Sequence, residues 1–296
     1  MTNSNIRLGI DLGGTKIEIV AIDDRSKIHH RQRISTRSQS YTDILDDIQN
    51  LVIDSEKALD VYNCSVGVGI PGALSKKTGL VKNANTQVLI GHAFDQDLSE
   101  RLNRPVRVAN DANCFALSEA IDGAAQGAES VFGVILGTGV GGALVHKGEI
   151  LSGRNAIAGE WGHNPLPWAE ETDLPKQACY CGQHGCIETY LSGPGMSQQA
   201  LLQHGQRRDS QAWLTEQGPV YQQYCLRLAR SLATVINVFD PDVIVLGGGL
   251  SNIDALYIDV PMLWDAFTFS DTIDTKLVKN LHGDSSGVRG AAWLCS

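Results

Sequence analysis

The chain has 296 residues, with 33 Asp and Glu against 24 Lys and Arg, for a net charge of −9. That length carries two domains with cores of their own, and an acidic balance without a basic stripe argues against a nucleic-acid surface. No apolar run reaches the length of a bilayer span, so no membrane partner is expected. The first five residues hold no signal-peptide core. Seven cysteines, an odd count, suit a reducing cytoplasm. A small anionic ligand must be met by local positive groups or oriented backbone amides, because the global field repels it.

Ile6 to Ile10 alternate and read as a strand. Asp11-Leu-Gly-Gly-Thr-Lys16 follows, and Ile17 to Ile22 reads as a second strand. The glycines thus join two strands and do not open a helix. No Gly-Lys-Ser/Thr stands at the spacing of a P-loop. Two readings stay open here. The turn's N–H groups and the Thr15 hydroxyl can hold a phosphate, with Asp11 placed to organise Mg²⁺ or its waters. Alternatively it is a plain hairpin turn with a solvated Asp.

Tyr41 to Leu59 carries a helical apolar stripe through Ile44, Leu45, Ile48, Leu51 and Val52. Val66 to Ile70 reads as a buried strand ending in Pro71-Gly72, and Lys82 to Asn85 as a polar loop. Phe94 to Leu98 reads as a helix start, with Asp95 a candidate N-cap. Val106 to Ala109 is another short strand, running into Asn110-Asp111-Ala-Asn113 and a helix through Ala116 to Ala124. An Asp at the carboxyl end of such a strand is where open α/β sheets place chemistry. It is also a common helix cap, and both jobs fit only if a neighbour such as Asn110 does the capping.

Val131 to Leu136 and Ala143 to His146 read as strands around Gly137-Thr138-Gly139-Val-Gly141-Gly142. This repeats the first pattern and predicts a duplicated fold with two phosphate-facing hairpins. A Rossmann turn fits poorly, since these glycines feed a strand. Next comes Glu160-Trp-Gly-His163, then Cys179-Tyr-Cys181-Gly-Gln-His-Gly-Cys186-Ile-Glu188. Thiolate and imidazole are the ligands zinc prefers, and four close a tetrahedral structural site. Gly182 and Gly185 permit a tight knuckle. His163, Cys179, Cys181 and Cys186 therefore read as one Zn²⁺ site that pins a loop and aims Glu160 and Glu188 at a ligand. Free thiols or a disulfide are the plainer alternative. Met196 to Ala212 is expected to be helical, and Tyr221 to Val238 is a clear amphipathic helix ended by Asp240-Pro241. Asp242 to Leu246 reads as a buried strand. Gly247-Gly248-Gly249 follows it, either as a close-approach turn for a flat ligand or as a tight corner. Val288 to Leu294 is the last helix. His29, His30, His92 and His282 show no partners in the sequence and are expected to be solvated.

Taken together, Asp11-Leu-Gly-Gly-Thr-Lys16, Gly137-Thr-Gly139, Glu160-x-x-His163, Cys179-x-Cys181-Gly-x-x-Gly-Cys186-x-Glu188 and Gly247-Gly-Gly249 resemble the ROK family of sugar kinases and repressors. Gly69-Ile-Pro-Gly72, Lys82-Asn-Ala-Asn-Thr86, Gly162-His-Asn-Pro-Leu-Pro167 and the His282-Gly-Asp-Ser-Ser-Gly-Val-Arg-Gly-Ala-Ala ending look like the bacterial fructokinases of that family. The resemblance implies an α/β, actin-like, ribonuclease H-like duplicated fold of two lobes with a central cleft. The first lobe is expected over 1–118 plus 288–296, the second over 119–287.

The resemblance further implies ATP with Mg²⁺, a structural Zn²⁺, and transfer of the γ-phosphoryl to a hexose, fructose being the expected acceptor. Asp111 matches the general base. Asn110, Asp111, Glu160, His163 and Glu188 match sugar contacts, with the second ring nitrogen of His163 turned to the sugar. Gly9, Ile10, Asp11, Leu12, Gly13, Gly14, Thr15 and Lys16 match nucleotide contacts, as do Gly137, Thr138, Gly139, Gly141, Gly142, Gly247, Gly248 and Gly249. Glucose, mannose, N-acetylglucosamine and N-acetylmannosamine are alternative acceptors, and a homodimer is a family habit. A repressor of this family carries a helix-turn-helix ahead of the sugar domain, whereas here five residues precede the first strand.

Overall fold

The computed structural model describes residues 6–84, 86–206 and 208–295. Asn85 of the expected polar loop lies outside them. In chain order the first elements are β1 (Arg7–Leu12), β2 (Lys16–Ile22), β3 (Ile28–Ser35), α1 (Tyr41–Leu59), β4 (Ser65–Ile70), β5 (Ala73–Leu74), β6 (Val81–Lys82), α2 (Phe94–Leu102), β7 (Val106–Asn110) and α3 (Asp111–Ile121). Then come β8 (Ser130–Leu136), β9 (Val140–His146), β10 (Glu149–Ile150), α4 (Glu188–Leu191), α5 (Gly193–His204), α6 (Ser210–Thr215) and α7 (Pro219–Phe239). The chain closes with β11 (Val243–Gly247), α8 (Leu256–Asp259), α9 (Pro261–Trp264), β12 (Lys276–Lys279) and α10 (Ser286–Trp293).

Two compact units result. One comprises Met1–Gly123, Ser152–Ala158 and Asp284–Ser296, the other Ala124–Leu151 and Gly159–Gly283. Each holds a five-stranded sheet, ordered β3-β2-β1-β4-β7 in the first and β10-β9-β8-β11-β12 in the second. In both, the central strand pairs antiparallel with the strand after its glycine turn and parallel with the strand on its other side. The expected duplication is therefore present strand for strand.

In the first unit, Leu8, Ile10, Leu12, Ile17 and Ile19 of β1 and β2 are essentially unexposed. They meet Ile44, Ile48 and Val52 of α1, spaced to fall on one helix face. Each such side chain contributes about 1.5–3 kcal/mol on burial. The opposite face is covered by α10, which rests on strand backbone. A Cβ on Gly9 would lie 2.2 Å from the Val288 carbonyl oxygen, and one on Gly67 1.9 Å from that of Ala291. In the second unit, α7 lays Tyr224, Leu228, Leu232 and Ile236 on Val134, Leu136 and Ile244 of the sheet.

Several local expectations need correction. Strand β3 was not anticipated, although its Ile28–Ser35 run alternates in burial along its whole length. Asp95 is not the cap of α2: Ala93 is, and Asp95 sits in the first turn, where the helix dipole favours an acid. The expected 196–212 helix is two, because Gly205 turns left-handed (φ 67°) after α5 and Asp209 caps α6. Two of the histidines taken as solvated have partners, His29 on Asp23 at 2.8 Å and His92 stacked on Tyr41 at 3.8 Å. The His30 Nε2 is buried rather than solvated. Among the described residues, no helix is long and apolar enough to cross a membrane.

Candidate active site

The β1–β2 turn is closed by the Gly13 N–H donating to the Lys16 carbonyl at 2.9 Å. Thr36 pins it twice: its N–H donates to the Thr15 carbonyl at 3.0 Å, and its hydroxyl donates to the Gly13 carbonyl at 2.8 Å. Gly14 and Thr15 are exposed, which suits an anion-binding turn. Gly9, Ile10 and Leu12, matched above to nucleotide contacts, are packing positions as far as their side chains go. Ile10 and Leu12 are buried in the core, and Gly9 is the seat of α10.

Strand alternation sends Asp11 to the face opposite Ile10 and Leu12. Its carboxyl is pushed up from the usual 3.8 to about 6, chiefly by burial and next by the charge of Asp111, with Lys16 opposing. The fold thus brings Asp11 and Asp111 into one electrostatic neighbourhood. Hard oxygen donors short of positive charge fit Mg²⁺.

Asp111 is the exposed first residue of α3, where the helix dipole favours a carboxylate. The cap is Asn110, whose Oδ1 accepts from the Ala112 N–H at 2.9 Å. Asp111 Oδ1 shares that N–H at 2.8 Å. The Asn110 amide nitrogen also donates to the Gly72 carbonyl at 3.1 Å. The neighbour therefore carries the capping role, as the dual-use reading of Asp111 requires.

In the second unit, β8 ends at Leu136 and β9 begins at Val140, so the turn is shorter than its glycine run. Gly141 and Gly142 lie inside β9, paired with Ile135 and Val134. A Cβ on Gly142 would fall 2.6 Å from the Trp161 ring, so its smallness serves packing against that ring. Likewise Gly247 is buried in β11, and Gly248 turns at φ +82° with its Cβ position 2.4 Å from the Leu136 carbonyl oxygen. Gly249, unlike Gly248, faces open space.

Gly137, Thr138 and Gly249 line a cavity of about 680 Å³ with Gly193, Pro194, Ser197, Arg208, Asp209, Ser210, Gln211 and Leu250. The α5 and α6 members were missed in the sequence. Their signal was Ser192-Gly-Pro-Gly195, a capped helix start in which Ser192 Oγ accepts from the Gly195 N–H at 3.1 Å. The Gly193 N–H donates to the Gly137 carbonyl at 2.8 Å, joining that start to the turn.

Donor atoms of His163, Cys179, Cys181 and Cys186 all lie within 4.8 Å of one another. The knuckle forms because Gly182 and Gly185 take φ of 90° and 73°. His163 Nδ1 is 3.5 Å from Cys179 Sγ, and Cys181 and Cys186 Sγ are 3.6 Å apart. A tetrahedron with metal–sulfur bonds of about 2.3 Å has edges of about 3.8 Å, whereas a disulfide needs about 2.05 Å. The donor set fits zinc, and the thiols are free. Burial and the two neighbouring thiols push Cys186 up to about 12, so a thiolate there calls for a cation.

The remaining ring nitrogen of His163, expected to face a sugar, meets the Tyr180 hydroxyl at 2.9 Å. Glu160 is exposed just ahead of the Trp161–His163 turn. Glu188 Oε2 accepts from the Val140 N–H at 2.9 Å, a partner the sequence did not suggest.

A model of the ROK family matches residues 7–296. The chain belongs to the ROK family. The N-acetyl-D-glucosamine kinase of Shigella flexneri is 40% identical over 301 residues, 97% of this chain and 98% of that protein. The enzyme of the same name from Vibrio cholerae serotype O1 is 40% identical over 299 residues, with the same shares. Among solved structures, a ROK hexokinase from Thermus thermophilus aligns with TM-score 0.85 and 28% identity, over 98% of this chain and 97% of that one. A ROK family glucokinase from Streptomyces griseus, solved with glucose and AMPPNP, aligns with TM-score 0.73 and 26% identity, over 97% and 98%. The fold is thus that of the ROK kinases, the actin-like ATPase fold, and the chain is a sugar kinase of that family.

Proposed function

We propose that this chain transfers the γ-phosphoryl of ATP to a hydroxyl of a hexose, with Asp111 as general base. A sugar hydroxyl is a poor nucleophile at neutral pH, and a carboxylate at hydrogen-bond distance orients it and takes its proton as the bond to phosphorus forms. The observation that carries this reading is the position of Asp111: exposed at a strand's carboxyl end, relieved of sole capping by Asn110, and beside Asp11.

Asp11 and the exposed Gly14–Thr15 backbone are proposed for the phosphates, and Mg²⁺, when bound, would neutralise their charge. The cavity of about 680 Å³ is proposed for the nucleoside. Glu160 and Asn110 remain proposed sugar contacts. His163, Cys179, Cys181 and Cys186 would hold a structural Zn²⁺, with no coordination position left for water.

Two acceptors are supported by different observations. Whole-length similarity near 40% to proteins named N-acetyl-D-glucosamine kinase favours N-acetyl-D-glucosamine. Fructose is kept as the second acceptor only because the segments 69–72, 82–86 and 162–167 and the C-terminal ending look like those of bacterial fructokinases. We give the first the greater weight, because it rests on the full chain.

The test is ADP release, followed with fructose, mannose, glucose, N-acetylglucosamine and N-acetylmannosamine. N-acetylglucosamine is expected to give the highest kcat/KM. A lead for fructose would transfer the assignment with the mechanism intact. Turnover with none of the five, in folded zinc-loaded protein, would sink the kinase reading.

A further inference from the structure

We propose that Glu188 is a positioning residue for the nucleotide turn, and that the metal knuckle acts on ATP through it and through Trp161. This rests on the kinase reading above and gives Glu188 a task other than holding sugar.

Glu188 stands two residues after the ligand Cys186, and Trp161 two residues before the ligand His163. Both reach the same short backbone stretch. The Glu188 carboxylate accepts the Val140 N–H at 2.9 Å, and the Trp161 ring N–H donates to the Gly141 carbonyl at 3.0 Å. Gly139 leaves room for this: a Cβ there would lie 2.7 Å from Glu188 Oε2. Gly162 lies closer still, its Cβ position 2.3 Å from the Val140 carbonyl oxygen.

The two flanks are also joined to each other beside the ligands. The Ile187 N–H donates to the Asn164 carbonyl at 2.8 Å, and the Leu166 N–H to that of Gly185 at 2.9 Å. One small assembly thus carries four metal donors at its centre and a hand on each side of Val140–Gly141. The stretch it grips begins one residue after Gly139, whose carbonyl accepts from the Gly137 N–H at 3.0 Å. Gly137 and Thr138 line the cavity proposed for the nucleoside. A charge-assisted bond to a backbone N–H is among the stronger kinds, and partners that orient a metal's ligands commonly change affinity 10- to 100-fold when removed. Here the same lever works outward, from the metal to the turn.

The experiment measures ADP binding by calorimetry without sugar, in zinc-loaded protein and after chelation, alongside hydrogen exchange at the Val140 amide. Chelation is expected to weaken ADP by about 10-fold and speed Val140 exchange. Glu188→Ala, which keeps all four ligands, is expected to do both without chelation. Glu188→Gln keeps an acceptor for the Val140 N–H and is expected to restore ADP affinity to within about 3-fold, since only the neutral bond replaces the charged one. If chelated or Glu188→Ala protein binds ADP as the zinc-loaded parent does, the link is refuted while the kinase reading stands. If Glu188→Gln is as weak as Glu188→Ala, charge and not turn geometry is at stake, and the proposal fails. If the zinc-loaded parent binds no ADP, both readings fall.

Discussion

The β1–β2 and β8–β9 turns occupy equivalent places in two sheets of the same strand order, yet they are held differently. The first is pinned by Thr36 at the end of its own third strand and carries its own acid, Asp11. The second has no acid on its strands and takes one from Glu188, in a segment the first unit lacks. Duplication thus kept the frame and let charge and support diverge. On the roles proposed above, the first turn serves the chemistry with Asp111, and the second serves holding.

The sharpest way to break this asymmetry is at Asp111. Asp111→Asn is expected to lower kcat by about 10²- to 10⁴-fold while hexose binding, read by calorimetry, persists. Near-normal turnover would move the base elsewhere and remove the functional distinction between the units.

Next in size is the support of the second unit. Asp173 is unexposed and accepts from Arg227 at 2.8 Å and Arg230 at 2.9 Å, both also buried. Burial opposes its charge, but the Glu170 backbone N–H and the two guanidinium groups outweigh that and hold its carboxyl below the usual 3.8. Its contribution is therefore present above pH 3.8 and lost as pH falls through the lowered value. Asp173→Asn leaves two buried guanidinium groups short of a counter-charge and is expected to destabilise by about 3–5 kcal/mol in denaturant titrations. A loss under about 1 kcal/mol would show that the cluster is solvated.

The frame was legible because its signals are periodic. The alternation of Leu8, Ile10 and Leu12 in β1 and of Ile17 and Ile19 in β2, with the stripe of α1, states which face meets the helix, and the ends of α1 fell where the sequence placed them. The metal donors were legible because their chemistry is rare and their knuckle needs glycine at two fixed places. Partnerships across long separations were not. Nothing near Asp173 announces two arginines some 54 and 57 residues on, and nothing near Glu188 announces the Val140 N–H. The glycine runs misled for a related reason. A glycine needed for a ligand and one needed for a tryptophan ring, as at Gly142, look alike until the ring is placed.

That ambiguity can be measured. Gly248→Ala puts a Cβ 2.4 Å from backbone at a left-handed φ of +82°, and a loss of about 1–3 kcal/mol is expected. Gly14→Ala meets only the Thr86 hydroxyl at 3.6 Å, an ordinary contact. It is expected to leave the melting temperature within about 2 °C, in line with surface substitutions of under about 0.5 kcal/mol, while raising the KM for ATP. If Gly14→Ala proves the more destabilising of the two, the first turn is strained in a way its contacts do not show.

The last expected effect concerns the acid that distinguishes the first turn. Asp11 has a folded value of about 6 against the usual 3.8, so the fold favours its protonated form. The group's contribution is full below pH 3.8 and is lost as pH rises through 6. That interval converts to about 3 kcal/mol at most, and partial exposure screens it to about 1. Asp11→Asn, uncharged throughout, is therefore expected to melt higher than the parent at pH 7.5 without divalent cations. The gain should shrink towards zero near pH 4, and the variant should lose activity at every pH. A gain equal at both pH values would mean that packing, not charge, sets the difference. A gain that grows with pH would show a sugar kinase holding a charge its fold disfavours, at the turn proposed above for the phosphates.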